Sequence, residues 1–309
     1  MGNNQDKMKK IKQALISVSD KNKLILILKI LKKFKIKIIS SGGTYKEIKK
    51  LGYKCNEISK FTNSPEILEG RVKTLHPKIH AGILNKRNNK SHKKQMKLNK
   101  YEDIDLVVVN FYPFEKTLTK TKNHKNIIEN IDIGGPTLVR AAAKNFNDVT
   151  VITSIEQYNE LIEELQKNKG STSIEYRQKL SEEAFNQTAY YDSIVTNYFT
   201  NKTKNLFPKR KVFYGNRIEK LRYGENPHQE AAIYSYDKSL DIVQLHGKKL
   251  SYNNYNDLYS ALNISKTLPK NIGTVIVKHG NPCGVSISKD KIESYKKALG
   301  SDPVSAFGG

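Results

Sequence analysis

The stretch from Ile131 to Asn145 combines residue types that could bind and activate a small anionic molecule. Asp132 offers a carboxylate for hydrogen bonding or proton transfer. Gly134 and Gly135 follow it, and glycine lets the backbone adopt left-handed angles and approach a ligand closely. Pro136 suits the first position of a helix, where the free backbone amides favour anions. We therefore predict a binding turn that leads directly into a helix.

The helix after this turn is expected to be cationic on one side. Thr137, Arg140 and Lys144 share one face by their spacing, while apolar residues occupy the opposite face. A plain Gly-Pro turn before an alanine-rich helix with a solvated basic face explains the stretch equally well. Other parts of the chain must decide between the two interpretations.

A second candidate loop for binding an anion runs from Ser40 to Thr44, with the sequence Ser-Ser-Gly-Gly-Thr. It follows a predicted strand at Ile36–Ile39 and precedes a predicted helix at Tyr45–Leu51. A strand, a glycine-containing hydroxyl loop and a helix in this order can cradle a phosphate. The loop matches neither the P-loop nor the G-x-G-x-x-G pattern, so a simple tight turn remains the alternative.

Two basic residues, Arg71 and Lys73, lie two positions apart. In an extended segment they point the same way and could hold a phosphate or a carboxamide oxygen. An exposed basic loop is the simpler interpretation of this pair. His76 and His80 follow, and both could be ordinary surface histidines.

A buried parallel strand is predicted at Asp105–Asn110 from its run of apolar residues. Ligands of open α/β sheets bind where such strands end. Tyr112 follows this strand and is a candidate phenol donor, with aromatic packing as the alternative.

In the second half of the chain, Lys278 and His279 follow a predicted buried strand at Gly273–Val277. Such a pair suits proton transfer and the stabilisation of developing negative charge. The alternative is an exposed basic pair at the end of a strand. A polar loop at residues 221–229 is rich in hydrogen-bond donors and is a further candidate site.

The elements that must position these residues alternate between strands and helices, which predicts an α/β fold with a parallel sheet. Further strands are expected at Ala14–Val18, Tyr53–Ile58 and Val149–Thr153, and a surface insertion or mobile loop at 85–102. The predicted organisation is a loose basic leader at 1–12, a domain at 13–199, a linker at 200–212 and a second domain at 213–309.

Composition limits the class of protein. The chain has 309 residues, 37% of them hydrophobic, which is enough for two cored domains. It has no apolar run long enough for a membrane and no signal-peptide pattern, so we expect a cytoplasmic protein. Two cysteines, Cys55 and Cys283, give neither a disulfide framework nor a metal site. The net charge of +24 comes from scattered lysines, and a solvated lysine surface is the expected reason.

Seven collinear motifs together resemble the bifunctional family of AICAR formyltransferase and IMP cyclohydrolase, from residue 14 to the end. The motifs are Ser-Gly-Gly-Thr at 41–44, Gly-Arg-Val-Lys-Thr-Leu-His-Pro at 70–77, Asn-Phe-Tyr-Pro-Phe at 110–114, Asp-Ile-Gly-Gly-Pro-Thr-Leu-Val-Arg-Ala-Ala-Ala-Lys-Asn at 132–145, Arg-Tyr-Gly-Glu-Asn-Pro-His-Gln at 222–229, Lys-His-Gly-Asn-Pro-Cys-Gly at 278–284 and Ser-Asp-Pro-Val-Ser-Ala-Phe-Gly-Gly at 301–309.

For the first half, this resemblance implies an IMP cyclohydrolase domain with a methylglyoxal-synthase-like parallel sheet and helices on both faces. The domain would close the ring of formyl-AICAR (FAICAR) to give IMP and water, without a metal or a tightly bound cofactor. Lys144 would be the proton donor or acceptor, with Tyr112, Lys73 and Asp132 as its partners. The nucleotide pocket would be lined by Ser19, Asp20, Lys21, Ser41, Gly42, Gly43, Thr44, Arg71, Thr74, Asn110 and Ile133.

For the second half, the resemblance implies the start of a formyltransferase domain similar in fold to cytidine deaminase. Arg222, Tyr223 and Gly308 would contact AICAR, His279 would act as the base and Lys278 would stabilise the transition state. The formyl donor would be 10-formyltetrahydrofolate. No zinc is expected, because Pro282-Cys283 is not followed by the second cysteine of a P-C-x-x-C motif.

Members of this family are homodimers and continue well past the position of Gly309. The formyltransferase domain is therefore expected to be incomplete here, and the chain to be competent only for ring closure. Two alternatives remain: a non-catalytic phosphate-binding module of the same fold, and a basic nucleic-acid-binding protein. The second would bind RNA or DNA with a steep salt dependence.

Overall fold

The computed structural model of the chain describes residues 8–236, 240 and 242–306. The chain divides into two compact units, Met1–Val212 and Phe213–Gly309. No helix within the described ranges is long and apolar enough to cross a membrane.

The first unit is built on a five-stranded parallel sheet with the strand order β4-β3-β2-β5-β6. Successive residues of a strand point to opposite faces of its sheet, and almost every residue of β2, β3, β5 and β6 is buried. Both faces must therefore be covered, as in a typical α/β fold. The strands of this unit, among its described residues from Met8 onward, are β1 (Met8–Lys10), β2 (Gln13–Val18), β3 (Lys37–Ser40), β4 (Asn56–Glu57), β5 (Leu106–Asn110), β6 (Thr150–Ile152) and β7 (Ser171–Ser173).

Helices surround the sheet. Among them α10 packs against α8 and β6, and α1 packs against α9. The helices are α1 (Leu24–Lys33), α2 (Gly42–Lys50), α3 (Ile58–Thr62), α4 (Pro77–Leu84), α5 (Lys90–Leu98), α6 (Phe114–Lys120), α7 (His124–Glu129), α8 (Gly134–Lys144), α9 (Tyr158–Lys167) and α10 (Ile174–Thr203). The predicted α/β class with a parallel sheet is confirmed.

The order of the strands determines where a ligand can bind. From β2 the chain moves outward through β3 to β4, whereas β5 and β6 lie on the other side of β2. The carboxyl ends of β2 and β5 therefore flank the point where the strand order reverses. In open α/β sheets this reversal creates a crevice that binds ligands.

Two segments that were predicted to be irregular are ordered elements. Residues 8–10 of the expected loose leader form β1, which pairs antiparallel with β7, and Ile11 next to it is only 2% exposed. No local pattern indicated this strand, because its two lysines are stabilised by long-range contacts: Lys9 pairs with Asp148 at 3.0 Å, and Lys10 donates to the carbonyl of Lys169.

The expected loop at 85–102 contains α5, which begins at an Asn89 cap and buries Met96. A single buried residue gives little periodic signal.

The part of the second unit that the structure describes contains antiparallel strand pairs and helices. β8 (Asn216–Lys220) pairs with β9 (Ala232–Ser235), and β10 (Gly273–Lys278) pairs with β11 (Asn281–Ile287). Helices α11 (Tyr252–Ser265) and α12 (Lys291–Ser301) pack against the second pair. The prediction of a fully buried strand at Gly273–Val277 was wrong, because only Val277 of β10 is buried. The similarity of this unit to cytidine deaminase stays a prediction.

Candidate active site

The loops that leave the carboxyl ends of β2, β3 and β5 come together at one edge of the sheet. They meet the loop before α4 and the turn before α8, since Gly42 lies against Lys73, Gly134 against Thr74, and Tyr112 against Asp132. The space between them is the crevice that the strand order predicts. We call it the carboxyl-edge crevice and define it by residues 19–21, 41–44, 71–74, 110–112 and 132–135. It contains every candidate site residue that was predicted for the first unit except Lys144.

Asn110, at the end of β5, ties two of these loops together. Its Oδ1 accepts hydrogen bonds from the backbone N–H of Ser19 at 2.6 Å and of Asp20 at 2.9 Å, and its Nδ2 donates to the carbonyl of Asp20 at 2.9 Å. Both ends of the side-chain amide are thus engaged with protein backbone. In this structure Asn110 shapes the crevice.

Thr44 has a similar structural role between α2 and β2. Its buried hydroxyl accepts from the N–H of Val18 and donates to the carbonyl of the same residue, both at 3.0 Å. The helix predicted to begin at Tyr45 in fact begins at Gly42, and Ser41 is its cap residue. The glycines therefore belong to the first turn of the helix, where backbone amides are free to bind an anion.

Two ammonium groups lie at this first turn. Gly42 has a φ of +52°, and a Cβ added there would lie 2.8 Å from Nζ of Lys73. A Cβ on Gly43 would lie 3.8 Å from Nζ of Lys21. Free amides, a positive helix end and two lysines form an arrangement suited to a phosphate.

Carboxylates neutralise the basic residues of the neighbouring loop in this structure. Glu66 lies 3.7 Å from Nζ of Lys73, and Glu129 on α7 forms a side-chain ion pair with Arg71. The loop itself is strained, because Leu68 and Glu69 both have positive φ angles. An incoming anion would compete with these two carboxylates for the cations.

Asp132 lies on the other side of the crevice and is held by backbone amides. Its Oδ1 accepts from the N–H of Gly135 at 2.8 Å, and its Oδ2 accepts from the N–H of Tyr112 at 3.3 Å. Burial raises the pKa of Asp132, and these two hydrogen bonds partly oppose that rise. A carboxyl with a raised pKa, next to a crevice, is suited to exchange protons.

Tyr112 is 47% exposed at the crevice. Partial burial raises the pKa of its phenol, and the nearby Asp132 carboxylate raises it further. The phenol therefore stays protonated at neutral pH and can donate a hydrogen bond.

The prediction that α8 offers its first-turn amides to an anion was wrong in part. Asp132 already occupies the N–H of Gly135, and the N–H of Thr137 donates to the carbonyl of Ile133 at 3.3 Å. Pro136, which has no N–H, is the third residue of α8 and not the first. The start of α2 is the better anion site, because lysines flank it and no carboxylate is bonded to its first-turn glycines in the described residues.

Lys144 is not brought to the crevice within one chain. It is the last residue of α8, and ten residues of helix at a rise of about 1.5 Å each place it about 15 Å from Gly134 along the helix axis. With Arg140, Leu84 and Phe185 it lines a separate cavity of about 470 Å³. The shared helical face was inferred correctly, but that face extends away from the crevice.

The remaining predicted residues of the first unit have clear positions. Ser41 and Thr74 are buried in the crevice, and a Cβ on Gly134 would lie 2.5 Å from the hydroxyl oxygen of Thr74. Ile133 is mostly exposed. His76 caps α4 by accepting the N–H of Lys78 at 3.1 Å, so its role in this structure is local.

Tyr191 is a residue at this site that sequence reasoning missed. Its hydroxyl accepts the backbone N–H of Asp132 at 2.7 Å from α10, 59 residues further along the chain. Glu66 and Glu129 were missed as well. None of the three lies in a pattern that points to the crevice, since each arrives there through tertiary packing.

In the second unit, Arg222 and Tyr223 contact each other. The guanidinium lies over the Tyr223 ring at 4.7 Å from its centroid and donates to the phenol oxygen at 2.9 Å, which lowers the pKa of that phenol. His279 and Gly280 form the tight turn between β10 and β11, where Lys278 pairs with Asn281. His279 is exposed there, whereas Gly308 lies outside the described residues.

Comparison with known proteins agrees with this architecture. The sheet and its crevice define the first unit as a methylglyoxal-synthase-like (MGS-like) α/β domain, and the model of that domain family matches residues 23–137. The model of the AICARFT/IMPCHase bienzyme matches residues 142–309. The chain therefore belongs to the AICARFT/IMPCHase bienzyme family.

Curated relatives extend over nearly the whole chain. The bifunctional purine biosynthesis protein PurH of Bradyrhizobium diazoefficiens is 45% identical over 98% of this chain, and that of Persephonella marina is 47% identical over 96%. The chain spans 58% and 59% of their lengths. A solved structure titled "Crystal structure of ForH" matches with a TM-score of 0.55 and 29% identity, over 61% of this chain and 99% of its own.

Proposed function

We propose that the first unit is an IMP cyclohydrolase, which closes the ring of FAICAR to IMP with loss of water. The observation that supports this most directly is the pairing of two features in one crevice. The start of α2, with Lys21 and Lys73, suits the phosphate of a nucleotide. The carboxylate of Asp132, which accepts the backbone N–H of Tyr112, and the phenol of Tyr112 suit proton transfer at the other side.

The reaction needs orientation and proton transfer. The carboxamide nitrogen attacks the formamido carbon and a tetrahedral oxyanion forms. Its oxygen takes up one proton from the attacking nitrogen and one from the formamido nitrogen. It then leaves as water, while the formamido carbon and nitrogen form the C=N bond of the new ring. Binding the phosphate at Gly42 and Gly43 would fix the nucleotide, so that the two reacting groups meet as one molecule in a defined geometry. Asp132 would accept the proton of the attacking nitrogen, and the neutral phenol of Tyr112 would donate a hydrogen bond to the oxyanion.

Lys144 can serve as a proton donor or acceptor at Asp132 only if a second copy of the chain supplies it, because α8 separates the two residues within one copy. We therefore include homodimerisation in the proposal. Mixing the two variants Asp132→Asn and Lys144→Ala tests it. In a two-fold dimer with shared sites, an equal mixture should recover about one quarter of the wild-type activity. If Lys144→Ala alone keeps full activity, Lys144 has no role.

The whole protein would also catalyse the preceding step, as the name of the AICARFT/IMPCHase bienzyme family implies. Formyl transfer from 10-formyltetrahydrofolate to AICAR would give FAICAR, with folate acting as a co-substrate and not as a bound cofactor. Arg222 and Tyr223 would contact AICAR, His279 would act as the base and Lys278 would stabilise the transition state. Because the chain spans under two thirds of its relatives, we propose ring closure as the activity to test first.

The experiment is ring closure by the purified 309-residue chain, followed as formation of IMP from FAICAR. We expect turnover by the wild type and a loss of roughly 100-fold or more in kcat for Asp132→Asn, since a general base contributes about that much. A folded wild type that binds IMP but forms none from FAICAR would overturn the proposal in favour of a phosphate-binding module. Tight nucleic-acid binding that is unchanged by Asp132→Asn, without any nucleotide binding, would favour the basic nucleic-acid-binding protein.

A further inference from the structure

Helix α10 holds the segments that follow β5 through three tyrosine hydroxyls. The Tyr190 hydroxyl donates to the carboxylate of Glu115 on α6 at 2.6 Å, and the Tyr198 hydroxyl lies 2.6 Å from Nδ1 of His124 on α7. The Tyr191 hydroxyl accepts the backbone N–H of Asp132. Of these three contacts, only that of Tyr191 is made to a residue of the carboxyl-edge crevice.

The position of the Tyr191 hydroxyl is well defined by packing. The residue is 5% exposed, and its ring lies edge-on to Phe111 at 5.1 Å and to Phe114 at 6.2 Å between centroids. Phe111 and Phe114 flank Tyr112 in the chain. The same tyrosine therefore contacts both segments that form the proton-transfer side of the crevice.

The backbone of Asp132 depends on this contact. Its carboxylate is fixed by the amides of Gly135 and Tyr112, and its own N–H is fixed by Tyr191. With these three bonds the residue is held at both its backbone and its side chain. Removing the hydroxyl leaves a half-buried N–H without its acceptor and lets the turn before α8 move.

We propose that Tyr191 is a positioning residue that holds Asp132 in the orientation needed for ring closure. This inference rests on the proposed cyclohydrolase function. Tyr191 acts through Asp132 and does not touch the phosphate side of the crevice, where Gly42, Lys21 and Lys73 lie on other elements.

The test is the variant Tyr191→Phe in the full chain. We expect kcat to fall on the order of tenfold, because small displacements of a reacting group reduce rates strongly, while KM stays within about twofold because the phosphate contacts are unchanged. Tyr190→Phe is the matched control, since it removes a hydroxyl from the adjacent residue of the same helix. Its kcat should equal that of the wild type.

A double-mutant cycle separates positioning from a general loss of structure. In the Asp132→Asn background, Tyr191→Phe should lower kcat no further, because the group that Tyr191 positions is already gone. A multiplicative loss in the double variant would show that Tyr191 acts independently of Asp132, and would overturn the proposal.

Amide hydrogen exchange gives a readout that does not require activity. The Asp132 amide should lose protection in Tyr191→Phe and keep it in Tyr190→Phe. If the wild type turns over and Tyr191→Phe matches Tyr190→Phe in kcat and in exchange, this inference fails alone. If the wild type has no turnover, both the proposed function and this inference are refuted.

Discussion

Replacing Gly42 by alanine tests whether the start of α2 is the phosphate subsite of the carboxyl-edge crevice. The change has two separable effects. Gly42 has a φ of +52°, so an L-residue there is strained by about 1–2 kcal/mol. The new Cβ would also lie 2.8 Å from Nζ of Lys73, which is closer than real contacts allow.

The second effect should influence binding more than stability. The atom that is too close is the end of a flexible lysine side chain, so it can move away at little cost to the fold. In its new position Lys73 can no longer meet a phosphate at Gly42, and the methyl group covers the first-turn amides. Loss of a hydrogen bond to a charged group costs about 1.5–3 kcal/mol, or roughly 10- to 100-fold in Kd.

Gly52, just past the other end of α2, supplies the matched control. Its φ is +81°, and a Cβ there would meet nothing within 4 Å. Gly52→Ala should therefore carry a similar strain without touching the crevice. For a domain of this size each variant should lower Tm by about 2–4 °C per kcal/mol of strain.

The assay is titration calorimetry with IMP on the wild type, Gly42→Ala and Gly52→Ala, together with urea unfolding of each. We expect similar losses of stability in both variants and a loss of affinity in Gly42→Ala alone. Equal affinity in all three proteins would refute a phosphate site at α2. Loss of affinity in both variants would show that distortion of the helix, and not contact at Gly42, controls binding.

Three further changes test separate parts of the crevice. Thr44→Val removes the hydroxyl that bonds to the N–H and carbonyl of buried Val18, and it should lower the free energy of unfolding by about 1–3 kcal/mol. Thr44→Ser keeps a hydroxyl and should lower it far less, and urea unfolding distinguishes the two variants. Glu66→Gln removes the carboxylate that pairs with Lys73, so affinity for IMP at low salt should rise by up to about fivefold. An unchanged Kd would contradict the idea that Glu66 and the phosphate compete for Lys73. Burial raises the pKa of the Asp132 carboxyl above its ordinary value of 3.8, which means that ionisation of Asp132 destabilises the folded state. The difference in Tm between Asp132→Asn and the wild type should therefore change in favour of the variant as pH rises from about 4 through the folded-state pKa of Asp132. A difference in Tm that stays constant over this range would argue against a raised pKa.

Much of the fold and of the crevice could be predicted from local signals. The apolar runs at β2, β3 and β5 indicated buried parallel strands, and such strands deliver the residues that follow them to one edge of the sheet. This is why the loop with Ser41 and Gly42, and the phenol of Tyr112, could be named as candidate site residues from the sequence, whereas Asn110 was named through the family resemblance. The predicted starts of helices were less accurate: α2 was predicted to begin at Tyr45 but begins at Gly42, so it includes both glycines.

The roles within the crevice were harder to predict. The chain motif suggested that α8 binds an anion, but Asp132 folds back onto the Gly135 amide and uses it. Lys144 was grouped with Asp132 because the family resemblance makes the two residues partners and both lie in the run from Ile131 to Asn145. Residues 134–144 of that run form helix α8, which places Lys144 about 15 Å from Gly134 along the helix axis, since each residue adds about 1.5 Å.

The sequence by itself determined the buried strands β2, β3, β5 and β6 of the parallel sheet, the glycine-rich turns and the chemical types present at the edge of the sheet. These features depend on residue periodicity and on short-range backbone preferences. Only the tertiary structure decided which groups are free and which are occupied. Asn110 and Thr44 bond to backbone on other elements, Glu66 and Glu129 neutralise cations, and Tyr191 reaches Asp132 from 59 residues away. Contacts of this kind depend on how helices pack against the sheet, and no local pattern in the chain encodes that packing.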